Sequence, residues 1–144
     1  MSYRLVADTS FLFKLAFANP QAEAAERICE RYVLIAPAFI QVELANALWK
    51  AVRFGGLKDA QALSAFNQLT ALYSPVPDEE IVEKAIALAL RIGHSVYDCM
   101  FAALAAEAAI PLITADRKLI SVLSAAAPDI QCLDITSLPA GVIA

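Results

Sequence analysis

The stretch YRLVADTSFLFKLAF, residues 3–17, passes from an apolar run to an aspartate and on into a helix-compatible segment. A short run that is apolar throughout, rather than alternating, fits a strand buried on both faces. Asp8, with Thr9 and Ser10 behind it, then turns the chain into a helix over Thr9–Phe17. The arrangement recurs in PLITADRKLI, where a strand over residues 111–116 ends on Asp116 and a helix follows over Lys118–Ala126.

The segments between obey the same rhythm. Pro20 opens a helix that runs to about Arg31, and YVLIAP, residues 32–37, reads as a second strand ended by proline. A helix from about Pro37 to Phe54 is stopped by Gly55 and Gly56, and Leu57–Leu72 supplies another before the short strand YSPVP. Asp78 is expected to cap a helix that starts at Glu79 and Glu80 and ends near Ile92, before Gly93. A long apolar helix follows in GHSVYDCMFAALAAEAAI, residues 93–110, and IQCLDI, residues 130–135, forms the last strand. Helices alternating with fully apolar strands predict an α/β fold with a central parallel sheet covered on both faces. In such folds ligands bind beyond the carboxyl ends of the strands, where the strand order reverses.

A chain of 144 residues predicts one domain spanning 1–144. Its 60% hydrophobic content and mean hydropathy of +0.60 exceed what one small core hides, so burial against another chain is expected. MSYRLVAD meets a charge before any apolar leader could form, which argues against a signal peptide. The run from Val96 to Ala115 is interrupted by Asp98, Glu107 and Pro111, so no membrane span is expected. Cys29, Cys99 and Cys132 make no CxxC pair and His94 is the single histidine, which argues against zinc and for reduced thiols in a cytoplasmic protein.

Four acids fall where chemistry is expected. Asp8 and Asp116 end strands, and each could also cap the helix that follows. Glu43 lies in APAFIQVELANALWKAVRF, in a narrow polar stripe with Asn46, Lys50 and Arg53 on a helix otherwise apolar enough to be mostly enclosed. Asp98 completes the capping box Ser95-Val96-Tyr97-Asp98, a position that also favours an ionised carboxylate. His94 reads as a turn or surface residue without a catalytic role, and Trp49, Phe54 and Phe66 as core or subunit-interface residues.

VADTSFLFKL, FIQVELANAL, HSVYDCMFAA and PLITADRKL resemble the PIN-domain family in order, spacing and local context, and the whole chain looks like a VapC-type toxin ribonuclease of a toxin–antitoxin system. The resemblance implies a three-layer α/β/α PIN fold and an acidic site for Mg²⁺ or Mn²⁺. It implies Asp8, Glu43, Asp98 and Asp116 as the acids, with Thr9 or Ser10 and Thr114 as hydroxyl neighbours. It also implies RNA as substrate and a cognate antitoxin as partner. Asp8 and Asp98 are assigned as principal metal ligands, and Glu43 and Asp116 as additional or water-mediated ones. Hard divalent cations take oxygen ligands, and crowded carboxylates need a cation to offset their repulsion.

A net charge of −4 and a pI near 4.9 look unsuited to nucleic acid. Setting the four site acids aside leaves 11 of the 15 acids against 11 Lys plus Arg, so the rest of the chain is formally neutral. Lys50, Arg53, Arg91, Arg117 and Lys118 are candidates for holding phosphates. A phosphotransfer receiver is disfavoured by the single Asp8 after the first strand and the lack of a lysine in IQCLDI, and an Asp-nucleophile phosphatase by Ser10 where a second aspartate is needed. The remaining alternative is a noncatalytic α/β interaction subunit whose acids only cap helices. The apolar excess predicts a homodimer interface and a groove for an antitoxin helix.

Overall fold

The structure, a computed structural model, describes residues 3–138. Five strands form one all-parallel sheet: β1 (Tyr3–Ala7), β2 (Tyr32–Pro37), β3 (Tyr73–Val76), β4 (Leu112–Thr114) and β5 (Cys132–Asp134). Their order is β3-β2-β1-β4-β5. The chain therefore builds outward from β1 through β2 to β3, then crosses back to lay β4 on the other side of β1. Val6 pairs with Ile35 of β2 and with Leu112 of β4, so β1 is the central strand. The order reverses between β1 and β4, and the crevice expected at such a point lies just past Ala7 and Thr114.

Among the described residues seven helices cover the sheet: α1 (Thr9–Phe13), α2 (Ala22–Arg31), α3 (Ile40–Gly55), α4 (Asp59–Leu69), α5 (Val82–Ile92), α6 (Val96–Ala108) and α7 (Arg117–Ala126). The result is a three-layer α/β/α architecture. α6 is apolar on nearly every side and buries an unbroken run from Cys99 to Ala105 against β1, β2, β4 and α5. Leu5, Val6, Leu34, Leu112 and Ile113 form the sheet's share of the core, with Phe11 and Leu12 of α1 and Leu119 and Leu123 of α7 closing over them. Each fully buried Leu, Ile or Phe contributes roughly 1.5–3 kcal/mol, so this core fixes the strand ends to which the acids are attached.

Several boundaries differ from those read in the sequence. The first helix stops at Phe13 rather than Phe17, because Lys14, Leu15 and Ala16 donate to carbonyls only three residues back and the Asn19 amide takes the carbonyls of Lys14 and Phe17. The next helix begins at Ala22, not Pro20. Asp78 does not cap the helix that follows it. Residues 78–80 form a single 3₁₀ turn, and Asp78 Oδ1 accepts from Phe39 N at 3.1 Å, satisfying an N–H at the start of α3. Gly56 and Gly93, at φ +80° and +70°, end α3 and α5 in the left-handed conformation expected of helix-stopping glycines.

α3 is also less enclosed than its composition implies. It buries Ile40, Leu44 and Leu48 along one face, while Trp49 and Phe54 are 55% and 77% exposed and meet edge to face. The core reading of these two aromatics is therefore replaced by a surface one. Among the described residues, no helix is long and apolar enough to cross a membrane.

Candidate active site

The turn after β1 is built around Asp8. Its backbone is extended, and Oδ1 accepts from Phe11 N at 2.9 Å, which caps α1 as the sequence suggested. Oδ1 also accepts from Ser10 Oγ at 2.7 Å, and Oδ2 accepts from Thr114 Oγ1 at 2.5 Å. The two hydroxyls act in both directions: Ser10 Oγ receives Ala115 N and Thr114 Oγ1 receives Asp116 N, each at 2.9 Å. One hydrogen-bonded knot thus locks the β1–α1 turn to the β4–α7 turn across the point of strand reversal. Asp116 completes it by capping α7, its Oδ1 accepting from Leu119 N at 3.1 Å.

The other two acids arrive on helices. Glu43 sits in the first turn of α3, half-buried, and Oε1 accepts from Thr9 Oγ1 at 2.7 Å. Asp98 sits in the first turn of α6, where its N–H donates to Ser95 Oγ at 3.3 Å, the capping contact the sequence suggested. The Asp98 carboxylate goes elsewhere, with Oδ2 lying 2.7 Å from His94 Nε2. His94 is therefore no surface residue: its side chain is only 13% exposed. The sequence held a signal for this pairing in the i, i+4 spacing of His94 and Asp98, which the expected helix start had masked.

Asp8, Glu43, Asp98 and Asp116 all line a single cleft of about 580 Å³, with Thr9, Ser10, Asn46, Lys50 and Phe101 around them. Lys14, one helical turn beyond Ser10, lines it too and went unnoticed in the sequence. Of the cations expected to flank the site only Lys50 reaches it. Arg53 lies over the Phe54 ring, and Arg117 donates to Thr136 Oγ1 beside Asp134. Lys118 is exposed outside the cleft. Arg91 lines a different hollow of about 700 Å³ near the amino ends of β4 and β5, together with an exposed Lys84–Glu107 ion pair. That hollow is larger, but the cleft is where the carboxylates gather.

The carboxylates strain against one another. Burial pushes Asp8 up to about 6, opposed by the hydrogen bonds from Thr114, Phe11 N and Ser10, and Asp116 adds repulsion. Burial likewise raises Glu43, opposed by Thr9 and reinforced by the charge of Asp98. Among the described residues no three His, Cys, Asp or Glu side chains stand close enough to form a ready coordination set. The donor chemistry nevertheless suits a hard divalent cation: every acid is an oxygen donor, and both elevated carboxyls would be relieved by positive charge. The three cysteines are held apart from this chemistry, their thiols pushed up to about 11 chiefly by burial.

A doubly wound α/β domain with four carboxylates at its point of strand reversal defines the class, and comparison with known proteins gives the family. Residues 5–123 match the PIN domain model, and the chain belongs to the PIN-domain family. It is 32% identical over 120 residues to Ribonuclease VapC3 of Pyrobaculum aerophilum, covering 81% of this chain and 92% of that protein. The crystal structure of PAE2754 from Pyrobaculum aerophilum superposes with a TM-score of 0.68 at 26% identity, over 84% of this chain and 79% of that one. A toxin–antitoxin complex from Klebsiella pneumoniae shares the fold with a TM-score of 0.63 at 19% identity, over 88% of this chain and 94% of that one.

Proposed function

We propose that this chain, as a single PIN domain over 1–144, is an endoribonuclease dependent on Mg²⁺ or Mn²⁺ and acts in the cytoplasm as the toxin of a toxin–antitoxin pair. The observation that carries the reading is the meeting of Asp8, Glu43, Asp98 and Asp116, from four separate elements, in one cleft at the carboxyl edge of the sheet. The kinship to a protein described as Ribonuclease VapC3 supports RNA as the substrate. Asp8 and Asp98 are the principal metal ligands in this proposal, with Glu43 and Asp116 in supporting positions. When bound, a divalent cation supplies activation of water and neutralisation of the phosphodiester's developing charge.

The chain's own residues do the rest. Ser10 and Thr114 aim the Asp8 carboxylate, and Thr9 aims that of Glu43. Fixing these rotamers before substrate arrives is what a site needs if reacting groups are to be held in register. Lys14 and Lys50 give the cleft two ammonium groups for the phosphates on either side of the scissile bond. With these two cations at the cleft among the described residues, affinity for RNA backbone in general is modest, and discrimination falls to the shape of a single-stranded or looped segment.

Two apolar surfaces support the partners. α3 and α4 enclose a groove of about 470 Å³ lined by Trp49, Val52, Leu63 and Phe66, which suits the apolar face of an antitoxin helix. The antitoxin-bound relative from Klebsiella pneumoniae supports such a partner. Val82, Ile86 and Leu90 form an exposed stripe along α5, which suits a second copy of the chain. The function is tested by inducing the protein in cells and mapping new RNA ends beside an Asp98→Asn control. Discrete cleavage sites that vanish in the variant support the proposal, and identical end maps refute it.

A further inference from the structure

The Asp98 carboxylate has a partner that the metal-site assignment does not use. α5 ends at Gly93, whose left-handed backbone lets both Gly93 N and His94 N donate to Ala89 O, at 2.9 and 3.3 Å. Two residues later Ser95 caps α6. His94 is therefore pinned in a one-residue corner between two helix ends, with almost no backbone freedom. Its side chain is nearly sealed from solvent, whereas that of Asp98 is 35% exposed. A carboxylate accepts and an imidazole N–H donates, so the proton of the 2.7 Å bond sits on Nε2.

Without this contact, Asp98 would project from the first turn of a helix with two torsions to spare. With it, Oδ2 is tied back to the corner while the residue still lines the cleft. The other site acids are held by comparable means: Asp8 by Ser10, Thr114 and Phe11 N, Glu43 by Thr9, and Asp116 by Leu119 N. His94 is thus the counterpart, for Asp98, of the hydroxyls that aim the other carboxylates. Groups that hydrogen-bond to metal ligands fix ligand orientation, and their loss typically weakens metal binding by about 10–100-fold.

We propose that His94 is a positioning residue that orients the Asp98 carboxylate for divalent-cation binding. The inference rests on the metal-dependent reading of the cleft. It is tested on the full chain with His94→Leu, which keeps bulk but cannot donate, and His94→Gln, whose amide can donate from nearly the place of Nε2. Mn²⁺ binding by calorimetry is the primary measurement, with RNA cleavage followed across Mn²⁺ concentration as the second.

His94→Leu is expected to bind Mn²⁺ about 10–100-fold more weakly than the unsubstituted chain and to regain most of its cleavage rate at high Mn²⁺. His94→Gln is expected to stay within a few-fold of the unsubstituted chain. Equal Mn²⁺ affinity in all three overturns the inference while leaving the nuclease reading intact, as does a His94→Gln as weak as His94→Leu, which would mean that the ring itself is needed rather than its donor. Failure of the unsubstituted chain both to bind Mn²⁺ and to cleave RNA overturns the nuclease reading and this inference together.

Discussion

Thr9 Oγ1 donates a 2.7 Å hydrogen bond to Glu43 Oε1 across 34 positions of sequence, joining the first residue of α1 to the first turn of α3. The bond opposes the rise that burial imposes on Glu43. Thr9→Val removes the donor at nearly constant volume, so Glu43 must rise further. The acidic limb of the activity profile is expected to move to higher pH, so that cleavage falls most on that limb, and stability is expected to fall by about 1 kcal/mol. Thr9→Ser should restore both. A pH–rate series on the three proteins, with chemical denaturation alongside, checks this.

Asp8 carries a second pH dependence, with the opposite sign from an ordinary paired aspartate. Its folded value of about 6 lies above the ordinary aspartate value of 3.8, so the folded state holds the proton more tightly than the unfolded chain does. Below about 3.8 its charge costs nothing. The penalty grows between 3.8 and about 6 and is complete above that, on the order of 3 kcal/mol. In the absence of divalent cations, the Asp8→Asn variant should therefore gain thermal stability relative to the unsubstituted chain as pH rises from 4 to 7. Adding Mn²⁺ should raise the melting temperature of the unsubstituted chain and leave that of Asp8→Asn unchanged. Melting curves over this pH range decide it.

Asp98 is part-exposed and its N-terminal helix contact comes from its backbone N–H to Ser95 Oγ, which Asp98→Asn keeps. The substitution is expected to change stability by less than about 1 kcal/mol. Cleavage should fall by at least about a hundredfold, the scale associated with losing one preorganised electrostatic group in a reactive site. Denaturation and rate measured on one preparation separate the two effects.

The exposed apolar faces make a third kind of prediction. Leu63→Arg, in the α3–α4 groove, should abolish inhibition by the antitoxin while leaving melting temperature and free ribonuclease activity near normal, because Leu63 is 68% exposed and lies outside the acid cleft. Leu90→Arg, on the α5 stripe proposed as the face for a second copy and 80% exposed, should give a monomer in light scattering where the proposal expects a dimer of the unsubstituted chain. Unchanged behaviour of both variants would contradict the assignment of these faces.

The parallel α/β order was legible because its strands are short, mostly apolar runs, and β1 and β4 are followed within two residues by Asp8 and Asp116, a local pattern that survives folding. The acids at positions 8 and 116 were legible for the same reason, since a residue at a strand's end is placed by the sheet itself. What local pattern misses is determined by side chains acting across the chain. Asp78 reaches Phe39 instead of its own helix, and Asn19 terminates α1 four residues early. Arg91, Arg117 and Arg53 looked like phosphate contacts by sign of charge alone, but each points to a local partner or a different hollow. Lys14 and His94 were obscured because their roles depend on turns that Asn19 and Gly93 create.

The most direct test of the account is cleavage of a structured RNA by the purified chain with Mn²⁺, with Mn²⁺ plus a chelator, and with the Asp8→Asn and Asp98→Asn variants. The account predicts discrete fragments with Mn²⁺ alone, lost on chelation and lost in both variants. Fragments that persist in the chelated sample or in both variants would contradict it, as would an intact RNA in every lane.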